Sequence, residues 1–248
     1  MKAMILAAGE GTRLRPLTLE RPKPMLPIAG RPAIEYTVVW LRRHGIRDIA
    51  INLYHKPDAV RAHFGDGARF GVSIRYSVER EILGTAGGVR RLADFFDEPF
   101  VVVYGDVLTD MDLGALIDFH RARAAERPHL TLALYRAPNP AACGIIALDD
   151  AGRVTRFVEK PPPDDIFSDL ANAGVQVMEP GLVSLIPPNT FYDFGHDLIP
   201  RLLAEGWPVF GMPMPPGSYL IDFGTPEQYA RAQVEWPRTE VYRLAAGI

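Results

Sequence analysis

The feature that most constrains the fold is a regular alternation of short strand-like runs with helical patterns. The strand-like runs are residues 2–7, 48–53, 72–76 and 100–104, and the helical patterns are 32–45, 58–64, 87–96 and 113–125. Strands that alternate with helices in this way are typical of a mostly parallel, doubly wound sheet. We therefore predict an α/β fold.

The second half of the chain follows a different pattern. Strand-like runs lie at 130–136, 144–148, 154–159 and 174–178, with a hairpin turn at 149–152, and helices are predicted near 196–205 and 226–235. Antiparallel strands are therefore expected to join the sheet and make it mixed. Because no linker or fixed-period repeat divides the chain, we predict one domain over residues 1–236 and a C-terminal tail over 237–248.

Charge is distributed unevenly along the chain. Residues 1–33 carry six basic and two acidic side chains, a net charge of +4, whereas the remaining 215 residues have a net charge of −7. The overall charge of −3 argues against general nucleic-acid binding. A basic segment in an otherwise acidic protein suits a local site for a polyanionic small molecule.

Cysteine content and hydropathy bear on the expected compartment. Cys143 is the single cysteine, so an internal disulfide is excluded and a reducing environment is expected. The apolar N-terminal run is too short for a signal peptide, and no run approaches the length of a membrane span. We expect a cytoplasmic protein with neither a membrane nor a nucleic acid as its partner.

The segment after the first apolar run is the most informative. Gly9 and Gly11 resemble part of a dinucleotide-binding fingerprint, but Leu14 stands where a third glycine is needed, and no Walker A sequence is present. Arg13 and Lys23 follow closely, and glycine backbone together with basic side chains can form a cradle for a triphosphate. By themselves, the same residues would also suit a tight turn beside a solvated basic loop.

The complete string LAAGEGTRLRPLTLERPKPMLPIAGRP, residues 6–32, resembles the N-terminal signature of the sugar-1-phosphate nucleotidylyltransferases. The similarity is greatest to the mannose-1-phosphate guanylyltransferase type without the C-terminal β-helix domain. It implies a Rossmann-like, GT-A-like fold and the joining of a nucleotide to a sugar 1-phosphate, with release of pyrophosphate. It also implies nucleotide-binding roles in this segment for Leu6, Ala7, Ala8, Gly9, Gly11, Thr12, Arg13 and Lys23. Arg13 and Lys23 are the residues expected to be catalytic.

Two aspartates are candidates for a metal site. Asp106 follows an apolar strand in VVVYGDVLTDMDL, and Asp222 lies in YLIDFGTPEQY. Ligands gather at the carboxyl ends of strands in open α/β sheets, and carboxylates suit Mg²⁺. Each aspartate alone would also be ordinary in a turn. The family resemblance implies that both of them bind Mg²⁺.

A glycine-rich loop, residues 84–88, precedes a predicted helix, and Glu79 lies just upstream of it. By itself this loop could be a helix N-terminus with glycines for close packing. The resemblance implies that it lies against the base and ribose, which makes Glu79, Gly84 and Thr85 nucleotide-binding residues. A carboxylate there suits guanine, whose N1–H and N2–H₂ groups are donors. GTP is therefore the expected nucleotide.

The sugar side is indicated by Glu159-Lys160-Pro161 and by Asn172-Ala173-Gly174. An isolated Glu-Lys pair is usually an exposed ion pair of small energetic value. The resemblance implies that Glu159 and Asn172 bind sugar hydroxyls, that Lys160 binds the sugar phosphate, and that Gly144 lets the sugar approach the backbone.

The expected chemistry needs no general base. A sugar 1-phosphate is already ionised near neutral pH, so it can attack the α-phosphorus of the nucleotide directly. Catalysis then consists of alignment and charge neutralisation. His44 and His120 lie on predicted helices beside arginines and are expected to be surface side chains.

Several alternatives stay open at this point. Within the family they are a heptose-1-phosphate guanylyltransferase, a glucose- or muramate-type enzyme that uses dTTP or UTP, and a phosphocholine-type cytidylyltransferase. Outside catalysis, the fold could serve a regulatory subunit that binds nucleotide sugars without turnover. The identity of the sugar and the oligomeric state, including a homodimer, are not determined by the sequence.

Overall fold

The computed structural model describes residues 1–126 and 130–247. Its strands are β1 (Ala3–Ala7), β2 (Pro27–Ile28), β3 (Arg31–Pro32), β4 (Asp48–Leu53), β5 (Ser73–Val78), β6 (Phe100–Tyr104), β7 (Val107–Thr109), β8 (Leu130–Arg136), β9 (Gly144–Leu148), β10 (Val154–Glu159), β11 (Leu170–Met178), β12 (Val209–Pro213) and β13 (Leu220–Asp222). Its α-helices are α1 (Leu17–Glu20), α2 (Ala33–Arg43), α3 (Pro57–Phe64), α4 (Gly84–Arg90), α5 (Leu113–Arg121), α6 (Pro180–Val183), α7 (Ile199–Ala204), α8 (Pro226–Glu235) and α9 (Glu240–Ala246). A π-helical turn, Phe194–Leu198, leads into α7.

The chain forms two compact units. Two of the boundaries between them lie within β6 and shortly after β7. Unit 1 comprises Met1–Ile82, Val103–Met111 and Gly217–Ile248, and unit 2 comprises Leu83–Val102 and Asp112–Pro216. The prediction of one domain over residues 1–236 stays a prediction. Helix α9 lies in the segment predicted as a tail, whose last residue is outside the described part of the chain.

Unit 1 is built on parallel strands. β4 pairs with β1 on one side, from Ala3 opposite Ile49 to Ala7 opposite Leu53, and with β5 on the other. Helices α2 and α3 make the connections before and after β4. Parallel neighbours joined by helices bring the carboxyl ends of β1, β4 and β5 to the same edge, where ligands usually bind.

The rest of unit 1 covers this sheet and adds a short ribbon. The apolar face of α2 is buried, and Tyr36 on it meets the ring of Trp236 edge-on, with 5.4 Å between ring centroids. β7 and β13 pair in antiparallel fashion, with Val107 opposite Asp222. Burial of large apolar side chains of this kind supplies most of the favourable free energy of folding.

Unit 2 contains the antiparallel strands that the sequence predicted. β9 and β10 form a hairpin, β11 pairs with both β9 and β8, and β12 runs parallel to β8. Parallel strands in unit 1 and mixed pairing in unit 2, with helices between them, confirm the α/β class with a mixed sheet.

Many strand boundaries agree with the sequence prediction, and one difference affects a site residue. The predicted bounds of β4, β6, β8, β9 and β10 are those observed. β11, however, begins at Leu170 and not at Gly174, so Asn172 lies inside a strand and not before it. The segment Leu-Ala-Asn-Ala-Gly has low strand propensity, and pairing with β8 at Leu134 and Tyr135 keeps it extended.

The prediction for His120 was wrong. Its side chain is buried, and its Nδ1 lies 2.8 Å from the hydroxyl of Thr131 on β8. His120 follows Leu116 and Ile117 at helical spacing, so it belongs to the stripe of α5 that faces the sheet. His44 is half-buried at the end of α2.

Within residues 1–126 and 130–247, no helix combines the length and the apolar character that a bilayer crossing requires.

Candidate active site

In unit 1, Asp106 and Asp222 are brought side by side by the β7–β13 ribbon. Asp106 directly precedes β7, and Asp222 is the last residue of β13. Val107 pairs with Asp222, and the backbone N–H of Phe223 donates to the carbonyl of Asp106 at 3.1 Å. Gly105 anchors the same turn to β1, because its N–H donates to the carbonyl of Leu6 at 2.8 Å. Two residues that are far apart in sequence thus form one acidic pair.

Lys23 lies against this acidic pair. Its Nζ donates to Oδ2 of Asp106 at 2.5 Å and lies 3.9 Å from Oδ1 of Asp222. Only 9% of the Lys23 side chain is exposed, and Nζ is 5.6 Å from the centroid of the Phe223 ring. Prolines on both sides of Lys23 restrict the backbone, so the ammonium is a fixed positive charge in a mostly enclosed setting.

Gly224 allows a third charged group to join the cluster. Its N–H donates to Oδ1 of Asp222 at 2.7 Å. A Cβ added at Gly224 would lie 2.8 Å from that oxygen, 2.9 Å from Lys23 Nζ and 3.0 Å from Arg13 Nη2. All three distances are shorter than ordinary contacts, so a side chain at position 224 would push apart the ends of Arg13, Lys23 and Asp222, which converge beside the glycine.

The pKa of Asp222 lies above its usual range. Protein atoms around the carboxyl group displace water and disfavour its charged form, although about half of the side-chain surface (54%) is accessible. The negative charge of Asp106 adds to the rise in pKa, and Lys23 opposes it. The neighbouring carboxylates of Asp106 and Asp222 concentrate negative charge, and this favours a nearby cation.

The glycine loop between β1 and Lys23 is held by its own neighbours. Gly11 has a φ of +66° and packs against Thr18 and Lys23, where an added Cβ would be 2.8 Å and 3.0 Å from their side chains. The hydroxyl of Thr18 donates to the carbonyl of Gly11 at 2.9 Å. Ala7 and Ala8 are buried, whereas Gly9, Thr12 and Arg13 are exposed. The loop is therefore fixed at its base and accessible along its outer side.

Glu79 belongs to a hydrogen-bonded chain at the ends of the parallel strands. Its Oε1 accepts a bond from Nδ2 of Asn52 at 2.8 Å, and Oδ1 of Asn52 accepts one from the N–H of Ala7 at 2.9 Å. Glu79 and Asn52 are buried, with 3% and 2% of their surface exposed. A buried carboxylate is thus fixed relative to the last residue of β1, at the edge where ligands usually bind.

In unit 2, Glu159 lies in a narrow space between two glycines. It ends β10 opposite Gly144 on β9, and a Cβ at Gly144 would be 2.5 Å from its Oε2. A Cβ at Gly195 would be 2.6 Å from the same oxygen. Burial raises the pKa of Glu159, and the positive charges of Lys160 and His196 partly offset that rise.

The other residues predicted for the sugar side lie around Glu159. Nζ of Lys160 is 3.8 Å from Oε1 of Glu159, and 62% of the Lys160 side chain is exposed. The N–H of Lys160 donates to the carbonyl of Cys143 at 3.0 Å. Ala171 pairs with Ile145, so the next residue, Asn172, is level with Gly144 in the sheet. Gly144, Glu159 and Asn172 therefore occupy neighbouring strands at one level.

Gly84 and Thr85 begin α4 and contact residues 192–194, which were not predicted to belong to the site. The Thr85 hydroxyl donates to Oδ2 of Asp193 at 2.7 Å and accepts the N–H of Phe194 at 2.8 Å. An added Cβ at Gly84 would be 2.6 Å from the carbonyl oxygen of Tyr192. Both residues are thus closely packed against residues 192–194.

Comparison with protein families decides the classification. A family model described as nucleotidyl transferase matches residues 2–238. The chain belongs to the nucleotidyl transferase family. This membership confirms the resemblance first drawn from residues 6–32.

Relatives of this chain include enzymes named for different nucleotides. The UTP–glucose-1-phosphate uridylyltransferase of Synechocystis sp. is 39% identical over 244 residues, which cover 94% of this chain and 62% of the relative. The mannose-1-phosphate guanylyltransferase of Mycobacterium tuberculosis is 38% identical over 241 residues, which cover 95% and 64%. The chain therefore spans less than two thirds of the length of either relative.

A solved structure resembles this chain over nearly its whole length. A candidate glucose-1-phosphate thymidylyltransferase from Bacillus anthracis superimposes with a TM-score of 0.84 at 24% identity, covering 97% of this chain and 96% of that chain. At this level of identity the similarity shows the fold, and it agrees with the Rossmann-like expectation.

The sequence interpretation missed Gly224, Asp193 and Gly195. Gly224 could have been noticed, because it follows Asp222 in the same FGTP string. Asp193 precedes Phe-Gly-His, and its Oδ1 accepts the N–H groups of Gly195 and His196, which is the usual role of an aspartate before a helical turn. Nothing in the sequence alone connects Gly195 with Glu159.

Proposed function

We propose that this chain is a sugar-1-phosphate nucleotidylyltransferase. The observation that carries the proposal is the convergence of Arg13, Lys23, Asp106 and Asp222 in a member of the nucleotidyl transferase family. Two cationic side chains can neutralise a triphosphate, and two carboxylates can hold its counter-ion. A regulatory subunit that only bound nucleotide sugars would not need to retain all four groups.

For the nucleotide we propose GTP. The supporting observation is the buried carboxylate of Glu79, which is fixed through Asn52 to the end of β1. A fixed acceptor suits the two donor groups on the Watson–Crick edge of guanine, whereas uracil and thymine present one.

For the sugar we propose a mannose-like 1-phosphate, bound by Glu159, Asn172 and Lys160. A relative named for UTP and glucose 1-phosphate makes that pair the alternative.

The acidic pair fits a divalent cation such as Mg²⁺. Mg²⁺ in phosphoryl-transfer enzymes is usually held by one or two carboxylates together with the phosphates of the substrate. Among residues 1–126 and 130–247, no group of three or more histidine, cysteine, aspartate or glutamate side chains could hold a metal ion. Asp106 and Asp222 would therefore supply the protein ligands, and the triphosphate the others. A bound Mg²⁺ would neutralise negative charge on the phosphates that react.

The proposed reaction forms one P–O bond and breaks another. An ionised oxygen of the sugar 1-phosphate attacks the α-phosphorus of the triphosphate. The bond from that phosphorus to the bridging oxygen breaks, and pyrophosphate leaves with the electron pair. Because the attacking oxygen carries no proton near neutral pH, no side chain has to act as a base. Arg13 and Lys23 stabilise the negative charge that develops on the triphosphate.

Asp106→Asn tests the proposal, because it removes one carboxylate charge and keeps the size of the side chain. We expect pyrophosphate release by the wild type to require both substrates and a divalent cation. We expect the variant to lose at least about a hundredfold in kcat, as removal of one electrostatic contact to a transition state commonly does. Gly181→Ala is the matched control, because that glycine has no atom within 4 Å of an added Cβ. Wild-type turnover by the Asp106 variant would refute the assignment.

A further inference from the structure

The first turn of α4 is bonded to residues 192–194, which lie more than a hundred positions away in sequence. The N–H groups of Ala86 and Gly87 both donate to the carbonyl of Tyr192, at 3.0 Å and 2.9 Å. The N–H of Tyr192 in turn donates to the carbonyl of Leu83 at 2.9 Å. Backbone bonds in both directions keep these two segments together.

Thr85 adds side-chain bonds to this contact. Its hydroxyl donates to Oδ2 of Asp193 at 2.7 Å and accepts the N–H of Phe194 at 2.8 Å. The other carboxylate oxygen of Asp193 accepts the N–H groups of Gly195 and His196, at 2.8 Å and 3.1 Å. Asp193 therefore joins Thr85 on one side to the turn at 195–196 on the other.

Gly195 completes the connection to Glu159. A Cβ at Gly195 would lie 2.6 Å from Oε2 and 3.1 Å from Cδ of Glu159, so the glycine backbone is in direct contact with that carboxyl group. Gly144 limits the same oxygen on its other side. A side chain at either glycine would therefore displace the carboxyl group of Glu159.

We infer that Thr85, Asp193 and Gly195 are positioning residues for the carboxylate of Glu159. Through them, the start of α4 sets the place at which Glu159 accepts hydrogen bonds from the hydroxyls of a sugar. This inference rests on the proposed function, which makes Glu159 a sugar-binding residue. It assigns the Thr85 hydroxyl a positioning role in the sugar site, in addition to any contact that residues 84–88 make with the nucleotide.

Thr85→Val removes both hydroxyl bonds and keeps the shape of the side chain, whereas Thr85→Ser retains the hydroxyl. We expect the valine variant to raise the KM for the sugar 1-phosphate about tenfold, and to raise it more than the KM for the nucleotide. The serine variant should restore the sugar 1-phosphate KM. An equal rise in both KM values, or equal loss in the serine variant, would overturn the inference.

Gly195→Ala tests the same connection from the other end. We expect a similar selective loss for the sugar 1-phosphate, because the added methyl group must displace the carboxyl group of Glu159. Gly181→Ala, whose methyl group meets no neighbour, should match the wild type. A Gly195 variant with a wild-type sugar 1-phosphate KM would contradict the inference.

Calorimetric binding of mannose 1-phosphate and of glucose 1-phosphate separates the two possible failures. If the wild type binds neither compound and makes no nucleotide sugar, the proposed function fails. If the wild type binds one of them and the Thr85→Val and Gly195→Ala variants bind it equally well, only the inference about positioning fails. If binding falls in both variants and recovers in Thr85→Ser, the inference is supported.

Discussion

Gly224→Ala should disable the charged cluster of unit 1 with little damage to the fold. The added methyl group would stand 2.8 Å from Oδ1 of Asp222, 2.9 Å from Lys23 Nζ and 3.0 Å from Arg13 Nη2. To reach ordinary van der Waals contact, each of these groups has to move away by about half an ångström. The atoms that must move are the ends of side chains, so the shift changes the geometry of the charges more than the packing of the core.

The expected magnitude follows from how strongly phosphoryl transfer depends on alignment. A displacement of about 1 Å can cost about a hundredfold in rate, so smaller shifts of three charged groups together should lower kcat/KM by about tenfold to a hundredfold. The free energy of unfolding should fall by no more than about 1–3 kcal/mol, which is the usual cost of overpacking.

The assay for Gly224→Ala is steady-state formation of nucleotide sugar, with urea unfolding measured in parallel. Gly181→Ala serves as the glycine-to-alanine control and should match the wild type in both measurements, since its methyl group meets no neighbour. If Gly224→Ala kept kcat/KM within twofold of the wild type while folding normally, convergence of the three charged groups would not be what the reaction needs.

Three further substitutions give distinct outcomes. Lys160→Ala should raise the KM for the sugar 1-phosphate at least about tenfold and the nucleotide KM less than twofold; equal losses would remove Lys160 from the sugar side. Glu159→Gln should be more stable than the wild type in urea at pH 8 but not at pH 4. Burial raises the pKa of Glu159 in the folded state. The carboxyl group therefore contributes fully to the free energy of unfolding below its unfolded-state pKa, and this contribution is lost as the pH rises through its folded-state pKa. Equal stability of the variant and the wild type at pH 8 would contradict this. Glu79→Gln should lower the ratio of kcat/KM for GTP to kcat/KM for UTP about tenfold or more. An unchanged ratio would mean that Glu79 does not contact the base.

Much of the fold was predictable because local pattern and tertiary context agree. β6 is a continuous apolar run and β4 is mostly apolar, which is the pattern of buried parallel strands, so even their end residues were predicted. The prediction for the first half of β11 failed because Ala, Asn and Gly have low strand propensity. Pairing with β8 keeps this segment extended. The His120 prediction failed because helical spacing was not weighed against the polarity of histidine.

Candidate site residues could be predicted where their chemical type indicates a role. They could not be predicted where only their position beside another residue matters. Lys23, Asp106 and Asp222 are charged groups in recognisable strings, and the structure brings them together as expected. Gly195 contributes only the absence of a side chain beside Glu159, and that can be known only when both backbones are in place.

The most direct test of the central claim is to follow labelled oxygen through the reaction. Mannose 1-phosphate and glucose 1-phosphate, each carrying ¹⁸O in the phosphate, would be offered with each of the four nucleoside triphosphates, and the products identified by mass spectrometry. Attack of the sugar phosphate on the α-phosphorus predicts a nucleotide sugar that retains all of the label, unlabelled pyrophosphate, and the highest yield with GTP. Label in the pyrophosphate, or no nucleotide sugar from any pair, would contradict it.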